Sequence, residues 1–174
     1  MNSNQINKVY VSGALTGIDN PAKTKSFYEV IGKLCQKQGF QAYVPHLKTD
    51  PINNPDISPR QVFETDKYHV STSNLVIVYL GTPSFGVGME LAYAEINNIP
   101  IILLYERGKV VSRFPRGIST VIAEIQFDNC EDALKQLKAV LEQRRSLQTN
   151  VVKNWLLSKR SQISFWLFRL FILN

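Results

Sequence analysis

The sequence predicts a three-layer α/β domain, with a Rossmann-like (flavodoxin-like) parallel sheet flanked by helices and a helical C-terminal tail of apolar and basic residues. Short β-branched runs alternate along the chain with amphipathic helical patterns. Each connection is long enough to return the chain parallel to the preceding strand. The length of 174 residues and the hydrophobic content of 44% suit one ordinary globular core. We therefore place the α/β domain at residues 1–148 and the tail at 149–174.

The first part of the domain is predicted as strand, helix, strand and loop. Lys8–Ser12 is a short apolar run that ends at a glycine, which is typical of a strand. The range Asn20–Gln38 opens with a capping residue and a first-turn proline, and its apolar residues recur at helical spacing. Phe40–Val44 predicts the second strand. His46–Ile57 is predicted as a loop, because it is rich in Pro, Asn and Asp and has no period.

The second part continues the alternation. Ser58 opens a capping box with proline at the first helical position, which predicts a helix towards Ser73. Leu75–Leu80 is a continuous β-branched run, typical of a strand covered on both faces. Thr82–Gly88 then turns the chain into a helix that ends near Asn98. The remaining elements are a buried strand, an edge strand and a final amphipathic helix, at Ile101–Tyr105, Val121–Phe127 and Glu131–Arg145.

The distribution of charge argues against a nucleic-acid-binding protein. The net charge is +6, but four of these charges follow residue 150, where no Asp or Glu occurs. The domain itself is therefore nearly neutral, whereas a nucleic-acid binder needs a basic surface on its folded body. Cys35 and Cys130 are far apart in the chain and form no ligand or disulfide pattern. Together with a polar N-terminus that shows no secretory signal, this predicts a cytoplasmic protein.

The tail has two interpretations. Ser164–Leu173 is strongly apolar and follows Lys153, Lys159 and Arg160. It is about half the length needed to span a bilayer. It is either an amphipathic anchor that makes weak contact with a membrane surface or a helix that docks on the body or on a second subunit.

Ligands of open parallel sheets bind beyond the carboxyl ends of the strands, which directs attention to three loops. These are Gly13–Asn20, the region around Asp66, and Thr82–Glu90. In the third loop, Gly86 and Gly88 let backbone N–H groups approach a sugar or a phosphate closely. Ser84 adds a hydroxyl there.

Two carboxylates are candidates for glycosidic chemistry. Glu90 is expected in the first turn of its helix, where the macrodipole favours the ionised form, so it is either a nucleophile or only a dipole-stabilising residue. Asp66 lies within a helix and belongs either to a solvated face or to the site. Two carboxylates that flank one bond are the usual equipment for cleaving a glycosidic bond. Asp66 and His69 share a helix face but lack a third ligand, so no metal site is predicted.

Three segments resemble the nucleoside 2-deoxyribosyltransferase superfamily. They are Val9–Gly17, Glu64–Asp66 and Gly81–Ala94. The P-S-x-G-V-G-x-E-L form in the third is similar to the 2'-deoxynucleoside 5'-phosphate N-hydrolase branch. The resemblance implies a nucleotide or nucleoside substrate and no cofactor. It implies that Glu90 is the nucleophile and that Asp66 assists departure of the base. It also implies that the pocket is lined by Tyr10 and Gly13, and that the 5'-phosphate is held by Ser84, Gly86 and Gly88. Finally, it implies a homodimer in which Ser112 reaches the neighbouring site.

The chain departs from the family pattern at the phosphate. Thr16 stands where the hydrolase branch commonly has Arg, so Arg113 or Arg116 is expected to supply the charge. Ser84 stands where the transferases place an acidic residue, and a serine tolerates a phosphate that a carboxylate would repel. We therefore favour hydrolysis of a (deoxy)nucleoside 5'-monophosphate. The alternatives are a deoxyribosyltransferase that exchanges bases and a non-catalytic nucleotide-sensing module tethered by its tail.

Overall fold

A computed structural model describes residues 7–50, 52–147 and 150. Its sheet has five strands, all parallel, in the order β2-β1-β3-β4-β5. This is the flavodoxin-like order, and it confirms the predicted fold class. The strands are β1 (Lys8–Gly13), β2 (Gln41–Tyr43), β3 (Leu75–Tyr79), β4 (Ile101–Glu106) and β5 (Val121–Phe127).

Helices connect the strands, and two local signals in the sequence explain where the long ones begin. The Asn20 side chain accepts the Lys23 N–H at 3.0 Å, and the helix follows with proline in its first turn. Ser58 and Gln61 form the predicted capping box, each side chain accepting the other residue's backbone N–H. The helices are α1 (Pro21–Lys37), α2 (His46–Thr49), α3 (Pro59–Ser71), α4 (Phe85–Ile96), α5 (Arg113–Arg116) and α6 (residues 130–147).

Two expectations about local structure are wrong, and one short helix was not expected. The predicted loop His46–Ile57 contains the one-turn helix α2, and α5 was not expected at all. Four residues are too few to show a helical period, so neither helix is visible as a pattern. Glu90 lies in the second turn of α4, not the first, because Ser84 caps the helix and Phe85 is already helical.

The three central strands of the sheet, β1, β3 and β4, are buried on both faces. Tyr10, Val76 and Val78 pack with residues of α3 and α4 on one face. On the opposite face, Tyr28 of α1 lies against β1 and contacts Tyr79 of β3. These layers place the carboxyl end of β1 directly beneath α4, which is where the candidate residues gather.

The chain divides into two units, residues 1–137 and 138–174. Every strand belongs to the first unit. In the second unit, residues 138–147 and 150 are helical. The apolar segment Ser164–Leu173 lies outside the described residues. Within the described part of the chain, no helix has both the length and the apolar character that crossing a membrane requires.

Candidate active site

The site lies at the point where the strand order reverses, between β1 and β3. Strand β2 lies on one side of β1 and β3 on the other, so the connections leave in opposite directions. A crevice forms at the carboxyl ends of such strands and is the usual ligand position in this fold. Helix α4 follows β3 and carries Glu90 to this edge.

The Glu90 carboxylate is held by two hydroxyls of β1. Tyr10 donates to Oε1 at 2.7 Å, and Ser12 donates to Oε2 at 2.5 Å. Tyr10 and Ser12 are both fully buried, so neither donor can turn towards solvent. Burial and the nearby Glu90 raise the pKa of Tyr10 well above its ordinary value, which keeps the donating proton in place. Glu90 itself remains partly accessible.

The sequence predicts that the helix dipole keeps Glu90 ionised, but the pKa of Glu90 in the structure is raised. Burial raises its pKa to about 7, and the charge of Asp66 adds to the rise. The hydrogen bonds from Ser12 and Tyr10 lower the pKa but do not cancel the effect of burial. Carboxyl groups whose pKa is raised towards neutral pH are common in active sites, where they serve as acids, bases or nucleophiles.

Asp66 of α3 faces this cluster and is half-buried. It accepts a hydrogen bond from the Tyr43 hydroxyl at 3.2 Å and a long one from Thr49 at 3.5 Å. Burial raises the pKa of Asp66, while these two bonds lower it. Asp66 is therefore not on a fully solvated helix face, and its charge raises the pKa of both Glu90 and Tyr10.

The glycines of α4 leave open space beside Ser84. The Ser84 hydroxyl accepts the Val87 N–H at 3.4 Å and so caps the helix, yet it keeps its own proton to donate. A Cβ at Gly88 would meet nothing within 4 Å, and one at Gly86 would meet only the Ser84 hydroxyl at 3.7 Å. Glycine costs about 1 kcal/mol relative to alanine within a helix, so packing does not account for these residues.

Several of the predicted phosphate-site residues line one cavity of about 1300 Å³ between α4 and the 109–118 segment. Ser84, Gly88, Ser112 and Arg113 contribute to its wall, whereas Glu90 does not. Ser112 also caps α5 by accepting the Phe114 N–H at 3.3 Å. The structure thus brings Ser84, Gly88, Ser112 and Arg113 to one cavity, separate from the carboxylate cluster.

The two candidate arginines differ. Arg116 donates to Glu124 at 2.8 Å, and its guanidinium lies over the Tyr105 ring. Arg113 is exposed and pairs with no acidic side chain in the described part of the chain. Arg113 is therefore the cation available to a ligand, and Arg116 is already engaged.

Two predicted residues of the first loop have weaker support. A Cβ at Gly13 would lie 2.3 Å from the Tyr28 ring, so packing alone explains that glycine. Thr16 is exposed on the loop between β1 and α1. Their contact with a ligand stays a prediction.

Sequence reasoning missed Ser12, Tyr43 and Thr49. Ser12 could have been found, because side chains two apart on a strand point to the same face, and Tyr10 was already a candidate. Tyr43 and Thr49 reach Asp66 from other elements, which no local pattern reveals.

His69, which shares a helix face with Asp66, stacks on the Tyr43 ring at 3.7 Å. Among residues 7–50, 52–147 and 150, no three His, Cys, Asp or Glu side chains gather to hold a metal.

Comparison with known proteins finds relatives in sequence and in structure. No family model matches the chain. A curated relative from Thermofilum pendens, named "Putative 2'-deoxynucleoside 5'-phosphate N-hydrolase 1", is 26% identical over 139 residues, which cover 77% of this chain and 94% of the relative. This similarity confirms the predicted resemblance to the 2'-deoxynucleoside 5'-phosphate N-hydrolase branch.

Two solved structures share the fold. A CMP N-glycosidase from Clostridium botulinum superimposes with a TM-score of 0.60 at 20% identity. The match covers 76% of this chain and 98% of the glycosidase chain. A 2-deoxyribosyltransferase from Bacillus psychrosaccharolyticus gives a TM-score of 0.53 at 16% identity, over 73% of this chain and 90% of its own. At such identities the match establishes the fold.

Proposed function

We propose that the chain is an N-glycosidase that hydrolyses a (deoxy)nucleoside 5'-monophosphate to free base and (deoxy)ribose 5-phosphate. The observation that carries the proposal is the Glu90 carboxylate, held through both oxygens by Tyr10 and Ser12 at the strand-order reversal. The names of the curated relative and of the solved CMP N-glycosidase support this substrate class.

In the proposed reaction, Glu90 is the nucleophile. One of its oxygens attacks the anomeric carbon while the bond from that carbon to the base breaks, and a glycosyl ester forms. Asp66 gives its proton to the departing base. As a carboxylate, Asp66 then takes a proton from the water that attacks the anomeric carbon, which releases the sugar phosphate and restores ionised Glu90.

The hydroxyls of Tyr10 and Ser12 have a defined part in this cycle. They stabilise the ionised form of Glu90, which is the attacking form, and fix its orientation before substrate binds. The pair Glu90 and Asp66 must carry one proton between them, on Asp66, at the moment of attack. Burial raises the pKa of both carboxyl groups, and the charge of Asp66 adds to the rise at Glu90, so the pair holds a proton to higher pH than two exposed carboxyl groups would.

The phosphate is proposed to lie beside Ser84 at the N-terminus of α4. The helix dipole and the N–H groups at the start of α4 favour an anion there. Gly88 leaves the approach open. In the dimer proposed below, Arg113 of the neighbouring subunit supplies the charge that Thr16 lacks. This arrangement favours a nucleotide over a free nucleoside.

The test follows base release from a panel of nucleoside monophosphates and the matching nucleosides, with and without a second base. We expect net release of base from at least one monophosphate, at least tenfold faster than from its nucleoside, because a bound phosphate contributes charge-assisted hydrogen bonds. Exchange of bases without net hydrolysis would identify a transferase instead. Tight binding of nucleotides that survive unchanged would identify a sensing module.

We also propose that the chain is a homodimer in which the Ser112 loop completes the neighbouring site. Phe85, Val110 and Phe114 are 96%, 98% and 89% exposed around the cavity between α4 and the 109–118 segment. Contiguous exposed apolar side chains of this size mark an interaction surface. A twofold axis would cover the same surface on both copies.

Mixing two inactive variants tests this dimer. Glu90→Ala and Arg113→Ala are each expected to be poorly active, but together they should recover about a quarter of wild-type activity, since half of the dimers are mixed and one of their two sites is intact. The control adds Phe85→Glu, which should give a monomer in sedimentation and no recovery. Sedimentation of the wild-type chain as a monomer, or mixing without any gain, argues against the shared site.

A further inference from the structure

Tyr43 lies at the centre of an aromatic stack that connects the two carboxylates, and the inference drawn from it depends on the proposed function. Tyr43 of β2 is the register partner of Tyr10 on β1. The two rings stack with their centroids 5.6 Å apart at an interplanar angle of 18°. His69 of α3 also stacks on Tyr43, with ring centroids 3.7 Å apart and an interplanar angle of 14°.

Each stacked tyrosine donates to one of the two carboxylates. Tyr10 donates to Glu90 at 2.7 Å, and Tyr43 donates to Asp66 at 3.2 Å. Because the backbone register and the stacking fix both rings, they also fix where the two hydroxyls are. The separation and relative orientation of Glu90 and Asp66 are thereby set by a rigid pair of side chains, which is what a two-carboxylate reaction requires.

We propose that Tyr43 is a positioning residue, which acts through Asp66 by holding its carboxyl group in line with Glu90 across the bond to be cleaved. Tyr43 does not react with the substrate in this account. It orients the proton of Asp66 towards the leaving base and later supports the Asp66 carboxylate when it accepts a proton from water.

The charged and titratable neighbours of Asp66 determine the sign of the expected pH effect. Tyr43 from β2, Tyr10 from β1 and Glu90 from α4 face it, and His69 lies one turn along α3. The Tyr43 hydrogen bond lowers the pKa of Asp66. Removing the hydroxyl therefore raises that pKa, so Asp66 keeps its proton to higher pH.

The experiment compares Tyr43→Phe with the wild type and with Tyr68→Phe, which removes the hydroxyl of an exposed tyrosine on α3. In Tyr43→Phe we expect kcat to fall about tenfold with KM little changed, because the ring remains and only the orientation of Asp66 is lost. The limb of the pH–rate profile that reports Asp66 should move to higher pH. Tyr68→Phe should match the wild type in all three respects.

A second readout keeps this inference separate from the proposed function. The carboxyl carbon of Asp66 is titrated by NMR in labelled protein, with folding checked by the dispersion of the same spectra. An upward shift of its midpoint in folded Tyr43→Phe supports the positioning role. An unchanged midpoint overturns it, even if kcat falls. If the wild type releases base from no nucleotide, the proposed function fails, and with it the catalytic part of this inference, whatever the midpoint shows.

Discussion

Replacing Glu90 by Gln is expected to lower the rate of base release on the order of 10³-fold or more, because the amide cannot form the glycosyl ester. Gln keeps the size of the side chain and accepts the Tyr10 hydrogen bond, so KM should change little. The rate is measured by chromatography of the released base. Glu64→Gln, which changes an exposed glutamate on α3, is the matched control and should retain full activity.

The same substitution should stabilise the fold at alkaline pH. The pKa of Glu90 is about 7 in the folded chain against an ordinary value of 4.5, so the folded state binds this proton more tightly than the unfolded state. The free energy of unfolding therefore falls as pH rises between those two values, by up to about 3 kcal/mol. Glu90→Gln removes this loss.

Unfolding by urea at about pH 8 and about pH 4 separates this effect from a general gain in stability. The variant should be more stable than the wild type at the higher pH and nearly equal to it at the lower pH. An equal difference at both values would mean that Glu90 is not a desolvated charge. An inactive but more stable variant is the pattern expected of a residue retained for chemistry.

Replacing Asp66 by Asn should slow base release by about 10²- to 10³-fold, the range of a lost general acid. The loss should depend on the leaving group. A nucleotide whose base carries a fixed positive charge, such as 7-methylguanosine 5'-monophosphate, departs without protonation and should be cleaved nearly as fast by the variant as by the wild type. Equal losses for both kinds of substrate would contradict the acid role of Asp66.

This variant also tests the coupling of the two carboxylates. The Asp66 charge raises the pKa of Glu90, so its removal lowers that pKa. Glu90 then stays ionised to lower pH, and the acid limb of the pH–rate profile for the precharged substrate should move in that direction. The reason is electrostatic, since like charges in a partly buried site disfavour each other.

The fold could be predicted from the sequence because its signals are local. Alternating runs and caps such as Asn20 and the box at Ser58 act within a few residues, and the structure confirms them. The one-turn helices α2 and α5 were not predicted, because so short a segment shows no helical period. The start of α4 was misjudged because Ser84 and the glycines after it favour a turn by propensity, yet Phe85 is already helical.

The site was only partly predictable, for a different reason. Glu90 and Asp66 carry chemistry that the residue types themselves suggest. Their partners Ser12, Tyr43 and Thr49 become partners only through the sheet and its helices, over separations of 17 to 78 residues. The direction in which the pKa of Glu90 shifts also depends on this tertiary burial, whose effect outweighs that of the local helix dipole.

Trapping the glycosyl ester tests the central claim most directly. The chain is mixed with a 2-deoxy-2-fluoroarabinosyl nucleotide, whose fluorine slows the breakdown of the ester more than its formation, and the acid-quenched protein is measured by mass spectrometry. The account predicts that the mass increases by one fluorinated sugar phosphate, located by peptide mapping on Glu90. Release of one equivalent of base with Glu90 unmodified would contradict it.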